Sequence, residues 1–153
     1  MRTVSSRLTP INDAYETCER TQATLWIGVE DLNPSFVTSR LGLEPSETQT
    51  KGEIKRNSRG TSRTVQKGAW FLSSEGHVDS RDIRRHLDWL LARLVPVKTR
   101  IRELQEMEGI VMSVNCIWWS VGGTGGPTLW PEQMYLMAEL NLECGFDISF
   151  FGE

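Results

Sequence analysis

Histidine and cysteine are scarce: two histidines (His77, His86) and three cysteines (Cys18, Cys116, Cys144) in 153 residues. The cysteines are widely spaced and odd in number. That excludes a disulfide framework and a zinc-binding spacing, and it points to a reducing, cytoplasmic setting. Cys116 and Cys144 sit in apolar runs and read as small core hydrophobes. Neither histidine has Cys, Asp or Glu neighbours at metal-ligand spacing. His86 falls on a helical stretch and reads as a surface or boundary residue. No serine occupies a nucleophile elbow, and carboxylate pairs such as Glu30-Asp31 and Glu106/Glu108 read as solvated. No catalytic group, metal or cofactor is therefore expected. No apolar run reaches the roughly 20 residues that a membrane helix needs. Residues 1–20 lack the apolar centre of a secretory leader and read as a flexible N-terminal tail, with a single domain over 21–153. The formal charge of −3 argues against general nucleic-acid binding.

What the chain does have is alternation. In "ATLWIGVE", Ala23, Leu25, Ile27 and Val29 oppose Thr24, Trp26, Gly28 and Glu30. "GIVMSVNCIWWS", "GFDISFF" and the shorter "GAWFLSS" alternate in the same way. A period of two marks strands buried on one face only. Strands covered on both faces would read as continuous apolar runs. Helices are thus expected on one side of a sheet, over Leu25, Ile27, Met112, Val114 and Ile148. The opposite face would carry Trp26, Phe71, Ile117, Trp119 and Phe151, with Ser, Thr, Asn and Asp between them.

Helix signals fall between these strands. Asn33 can cap a helix with Pro34 in its first turn, and Gly42 is a natural left-handed stop. In "DSRDIRRHLDWLLARL", Asp79 or Ser80 can cap, and Ile83, Leu87, Leu90, Leu91 and Leu94 form an apolar stripe. Pro96 ends or kinks this helix. "VKTRIRELQEMEG" continues to Gly109, and "PEQMYLMAEL" is the last helix. An internal echo links "LNPSFVTSRLGLE" to "LWPEQMYLMAELNLE", with Gly42 matched to Asn141 as helix stops. Duplication and chance similarity of helix signals both account for it. The expected fold is α+β: a two-layer sandwich with a four-stranded, mainly antiparallel sheet and helices on one face. It would be ferredoxin-like, two βαβ units joined by a long helix.

Three features are candidates for function. Between positions 45 and 67, Lys51, Lys55, Arg56, Arg59, Arg63 and Lys67 face only Glu47 and Glu53, a local surplus of four positive charges. This stretch is a place to grip an anionic partner or simply a solvated loop. Its ends, "SETQTK" and "RTVQK", can pair as a short hairpin. Gly122, Gly123, Thr124, Gly125, Gly126 and Thr128 precede a helix N-terminus, where backbone N–H groups suit a phosphorylated or other anionic small molecule. Yet the run matches neither the P-loop nor the dinucleotide fingerprint, and a sharp turn explains the glycines equally well. The third feature is the aromatic open face, Trp26, Phe71, Trp119 and Phe151, which points to a protein partner or a homodimer unless the tail or loop covers it.

At "DLNPSFVTSRLGLEPSE", "KGAWFLSSEG", "HLDWLLARL" and "WWSVGGTGGPTLWPEQMYLMAELNLECGFDISF" the chain resembles bacterial domain-of-unknown-function family 4279. The resemblance runs from about Ala23 to Phe151. Lys51-Gly52 fits the family's basic-glycine step, although the basic loop is longer here. The resemblance implies a small cytoplasmic bacterial α+β protein and no particular activity. Small domains of this kind can be immunity proteins that bind a toxin. The expected function is a non-enzymatic binding module, in immunity or regulation, that uses the aromatic face and the basic loop. The alternative is a sensor or enzyme that holds a phosphorylated ligand at residues 122–128.

Overall fold

The computed structural model describes residues 6–122 and 124–150. The elements are β1 (Cys18–Glu30), α1 (Ser35–Leu41), β2 (Glu47–Gln49), β3 (Ile54–Arg56), β4 (Ser62–Thr64), β5 (Gly68–Ser73), α2 (Ile83–Leu94), α3 (Lys98–Gln105), β6 (Val111–Ser120), α4 (Pro131–Glu139) and β7 (Cys144–Phe150). A 3₁₀ turn at Val95–Val97 separates α2 from α3, where Pro96 denies the helix an N–H donor. Five strands form one mixed sheet in the order β2-β5-β1-β6-β7, and β3 and β4 pair separately.

The fold is α+β, as expected, but the strand order is not that of two side-by-side βαβ units. β1 pairs antiparallel with both β5 and β6, so it lies between two strands of like direction. Only β6-α4-β7 closes onto an adjacent parallel strand. The first unit cannot do so, because the chain passes from α1 through β2 and the β3–β4 hairpin before β5 arrives antiparallel to β1. "SETQ" pairs with β5 rather than with "RTVQK" (Glu47 opposite Phe71, Gln49 opposite Ala69).

The alternation has its expected result in the three central strands. Ala23, Leu25, Ile27 and Val29 meet Trp70, Leu72, Val114, Cys116 and Trp118 on the helix side, all at most 5 % exposed. The α2 stripe, Ile83, Leu87, Leu90, Leu91 and Leu94, closes over them with Ile101 and Leu104 of α3. Each such side chain contributes about 1.5–3 kcal/mol on burial. Coverage stops at the edge strand. Ile148 is in register with Trp118 on the helix side, yet it is 59 % exposed. Phe146 and Phe150 are also exposed, because α4 leans on α2 rather than across β7.

Both halves of the internal echo end in the left-handed conformation, Gly42 at φ 70° and Asn141 at φ 53°. The N-H of Gly42 closes on the carbonyl of Thr38 at 2.8 Å. The Asn33 side chain accepts from the Ser35 N–H at 2.9 Å, one residue ahead of Pro34, which takes the N-cap position of α1. α2, however, is capped by neither Asp79 nor Ser80. Asp82 takes that place, and its carboxylate accepts the Arg84 N–H at 3.1 Å.

Within the stretch expected as a loose tail, residues 9–12 are bonded to side chains at the start of α2. Arg84, wholly buried, makes a two-pronged pair with the buried Asp82 carboxylate (2.7 and 2.8 Å). Its Nη1 donates to the carbonyl of Thr9 (2.6 Å), and Nη2 donates to the carbonyl of Pro10 (3.0 Å) as well as to Asp82. The Asn12 N–H donates to Asp82 as well. Burial works to raise the Asp82 pKa, but the Arg84 guanidinium and the two backbone N–H groups more than reverse this and hold it below the usual carboxylate range. Residues 9–12 are thus strapped to the start of α2.

Candidate functional site

The open face is built by residues two apart on each strand. β1 contributes Gln22, Thr24 and Trp26; β5 contributes Phe71 and Ser73; β6 contributes Ser113 and Asn115. Register puts Trp26 between Phe71 and Ser113, and Thr24 between Ser73 and Asn115. With Ser46, Glu47 and Glu75 they line a cleft of about 540 Å³. Its floor is aromatic and its rim is hydroxyl, amide and carboxylate. That combination, apolar area with a few orienting polar groups, is common to ligand and partner sites.

The far edge of the Trp26 indole reaches over Gly28, which has no side chain to oppose it. A Cβ at Gly28 would stand 2.7 Å from the far edge of the indole and 3.0 Å from Val111. Glu47, at the rim, accepts from Lys55 of the hairpin at 2.8 Å. Lys55 is paired with Arg63 across that hairpin, so the two cations share a face. The basic hairpin is therefore tied to the edge of the aromatic cleft. At the other end, Arg20 bonds Glu75 (2.6 Å) and lies 5.1 Å from the Trp119 ring centre.

The structure thus brings Trp26, Phe71 and Lys55 together and sets the other candidates apart. Arg20 is the register partner of Trp119, six positions from Trp26 along β1, or about 20 Å at 3.3 Å per residue. Trp119 is half-buried on the open face, while Trp118 is fully buried in the core. Lys51 pairs with Asp31 at 2.5 Å, away from the cleft, and Arg56 is exposed on the hairpin. Phe151 and Gly123 lie outside the described residues. Alternation could point to the aromatic floor, but Ser46, Glu47 and Glu75 enter the rim only through strand order, which has no local signal.

The glycine loop holds its own chain. Gly122 and Gly125 have φ 84° and 103°, which a turn needs and glycine allows. The Tyr15 hydroxyl donates to the Gly126 carbonyl (2.9 Å) and shares a hydrogen bond with Thr128 (2.8 Å). Gly125 sits against Thr17, so closely that a Cβ would fall 2.4 Å from it. The start of α4 is closed too: Gln133 accepts from the Trp130 N–H and donates to Asp88, both at 2.8 Å.

His86 is not at the surface or boundary; it is 2 % exposed. Its Nε2 lies 2.7 Å from the Ser80 carbonyl, which only accepts, so Nε2 carries the hydrogen. Nδ1 then accepts from the Ser74 hydroxyl at 2.7 Å, and Ser74 accepts the Ala23 N–H. Burial holds the ring pKa below its ordinary 6.5. Ser74 is wholly buried, so this Ser-His contact braces β1, β5 and α2 and offers no nucleophile. A polar cleft of about 460 Å³ lies beside it, lined by Arg20, Glu75, Asp79 and Arg81 among others. Among the described residues no three His, Cys, Asp or Glu side chains are placed to hold one metal ion, and no helix is long and apolar enough to cross a membrane.

Residues 17–151 match the family described as "Domain of unknown function (DUF4279)". No curated protein and no solved structure matches the chain.

Proposed function

The chain belongs to the domain-of-unknown-function family DUF4279, and we propose that it is a non-enzymatic module that binds a partner protein through the open face of its sheet. The observation that carries this reading is the cleft floored by Trp26 and Phe71, with the basic hairpin fastened to its rim by Lys55 and Glu47. Large aromatic side chains held half-buried beside unspent polar area are the usual anchors of an interface. The hairpin adds positive charge next to them and suits an acidic surface on the partner. An immunity or regulatory role in the cytoplasm is a setting that uses such a module. The alternative, a phosphorylated ligand at residues 122–128, has to displace Tyr15 and Thr17 from the loop they occupy.

The test is co-expression with the product of the adjacent gene, together with sedimentation of the chain alone across a concentration series. Trp26→Ala and Phe71→Ala are each expected to weaken the complex or dimer by at least about 30-fold, the effect of losing about 2 kcal/mol at an anchor. Both variants should keep their cooperative unfolding. If both retain full association and lose only stability, the aromatics belong to the fold and the reading fails.

A further inference from the structure

We infer that Cys116 and Cys144 form a disulfide-forming modification site that links β6 to β7 when the protein meets hydrogen peroxide. The sequence suggests two unrelated core cysteines, 28 positions apart, but the parallel pairing of β6 with β7 brings them together. Cys144 is in register with Val114 and Cys116 with Phe146, two positions along, and both cysteines face the helix side. Their sulfurs are 3.7 Å apart and not bonded. Closing that gap needs a small shift of β7, an edge strand whose Phe146, Ile148 and Phe150 are exposed. Cys18, the third cysteine, is fully buried at the start of β1.

The two thiols have different surroundings. Cys116 is wholly buried, while Cys144 is half-buried and reachable from solvent. The contact with Cys144, and burial after it, push the Cys116 thiol up. The same contact holds Cys144 below the ordinary thiol range despite burial. Cys144 is thus the sulfur that ionises and meets the oxidant, and Cys116 is the resolving thiol. The Cys144 thiolate attacks one oxygen of the peroxide; the S–O bond forms, the O–O bond breaks and hydroxide leaves. The Cys116 sulfur then attacks the sulfenic acid; the S–S bond forms, the S–O bond breaks, and water leaves with the Cys116 proton. The two sulfurs together lose two electrons, and one peroxide gains them.

The purified, reduced chain is treated with hydrogen peroxide, unfolded without reductant and alkylated. The expected product is a monomer that has lost two hydrogens, has one alkylatable thiol left (Cys18) and yields a peptide pair joined through Cys116 and Cys144. Cys18→Ser should oxidise like the parent. Cys116→Ser should stop at a sulfenic acid on Cys144 that a 1,3-dione traps. Cys144→Ser should form no link. The oxidised parent should unfold at higher denaturant and return to the original midpoint on reduction. Three alkylatable thiols after peroxide, a link through Cys18, or a link only between two chains would each overturn the proposal. Cys116→Ser and Cys144→Ser both replace one atom, and circular dichroism checks that each keeps the fold before it is scored.

Discussion

At the scale of single residues, Gly28 is the most informative position on the open face. Its φ is not in the left-handed region, so alanine fits the backbone there. What alanine meets is the tip of a side chain, since its Cβ would lie 2.7 Å from the Trp26 indole. The indole can swing away; the backbone need not. Gly28→Ala is therefore expected to change stability by less than about 1 kcal/mol while it moves Trp26 out of the cleft floor. Tryptophan fluorescence should shift and partner affinity should fall as it does for Trp26→Ala. A large loss of stability with unchanged affinity would mean that the indole is core. His86 gives a second residue-scale prediction, from its proton. The unfolded chain binds that proton near pH 6.5, whereas the folded ring, neutral and bonded at both nitrogens, binds it only at lower pH. Stability is then flat above 6.5 in this respect and declines as the pH falls from there to the folded pKa, by up to about 1.4 kcal/mol per pH unit. Denaturant titrations at about pH 7.5 and about pH 5 check this. His86→Gln should flatten the difference; an unchanged slope would place the proton elsewhere.

At the scale of elements, the segment from Arg7 to Thr17 acts as a strap across one end of the molecule. Arg7 forks onto Glu132 of α4 (2.6 and 2.5 Å), Arg84 holds Thr9 and Pro10, and Tyr15 closes the glycine loop. Arg84→Met would leave Asp82 buried without its partner, which costs about 3–5 kcal/mol. Arg84→Lys keeps a charge there but lacks the fork that reaches both carbonyls. Both variants should release the strap and open residues 7–17 to limited proteolysis well before the rest of the chain. Equal resistance in Arg84→Lys and the parent would show that the strap does not depend on the Arg84 fork. This element also shows where sequence reasoning stops. The helix ends at Gly42 and Asn141 are legible because few residues accept a left-handed backbone, and the α2 stripe is legible because its period is local. The α2 cap is not. Asp79, Ser80 and Asp82 are all able to cap, and the choice falls to Asp82 through Arg84 and through Asn12, 70 positions away. The strap hides for the same reason: its anchors lie 70 to 125 positions along the chain, and a polar segment gives no local sign of being held.

At the scale of the whole molecule, the sheet has a covered side and an open side, and the hairpin β3–β4 is an appendage at its edge. Alternation foretells the two sides. It says nothing of strand order, since every order of one-faced strands buries the same residues. That is why two βαβ units are a reasonable expectation and why β1 between β5 and β6 is not deducible from pattern. The hairpin adds no strand to the main sheet. Its base is closed by the Gly52 N–H to Val65 carbonyl bond and the Val65 N–H to Glu53 carbonyl bond, and Val65 is the hairpin's buried anchor at 2 % exposure. Residues 54–64 beyond that base have no buried side chain. Replacing them with a short glycine turn, with Glu53 and Val65 kept, should leave the unfolding free energy within about 1 kcal/mol, because little apolar area is lost and loop closure costs change slowly with length. The same deletion removes Lys55, which is bonded to Glu47 at the cleft rim, together with Arg56, Arg59 and Arg63 of the hairpin. If the hairpin steers an acidic partner to that cleft, association with it should slow, and its dependence on salt should weaken, while dissociation changes less. Stopped-flow mixing at two ionic strengths separates these outcomes. A deletion that unfolds the chain would make the hairpin structural, and one that leaves both rate constants untouched would confine binding to Trp26, Phe71 and their neighbours.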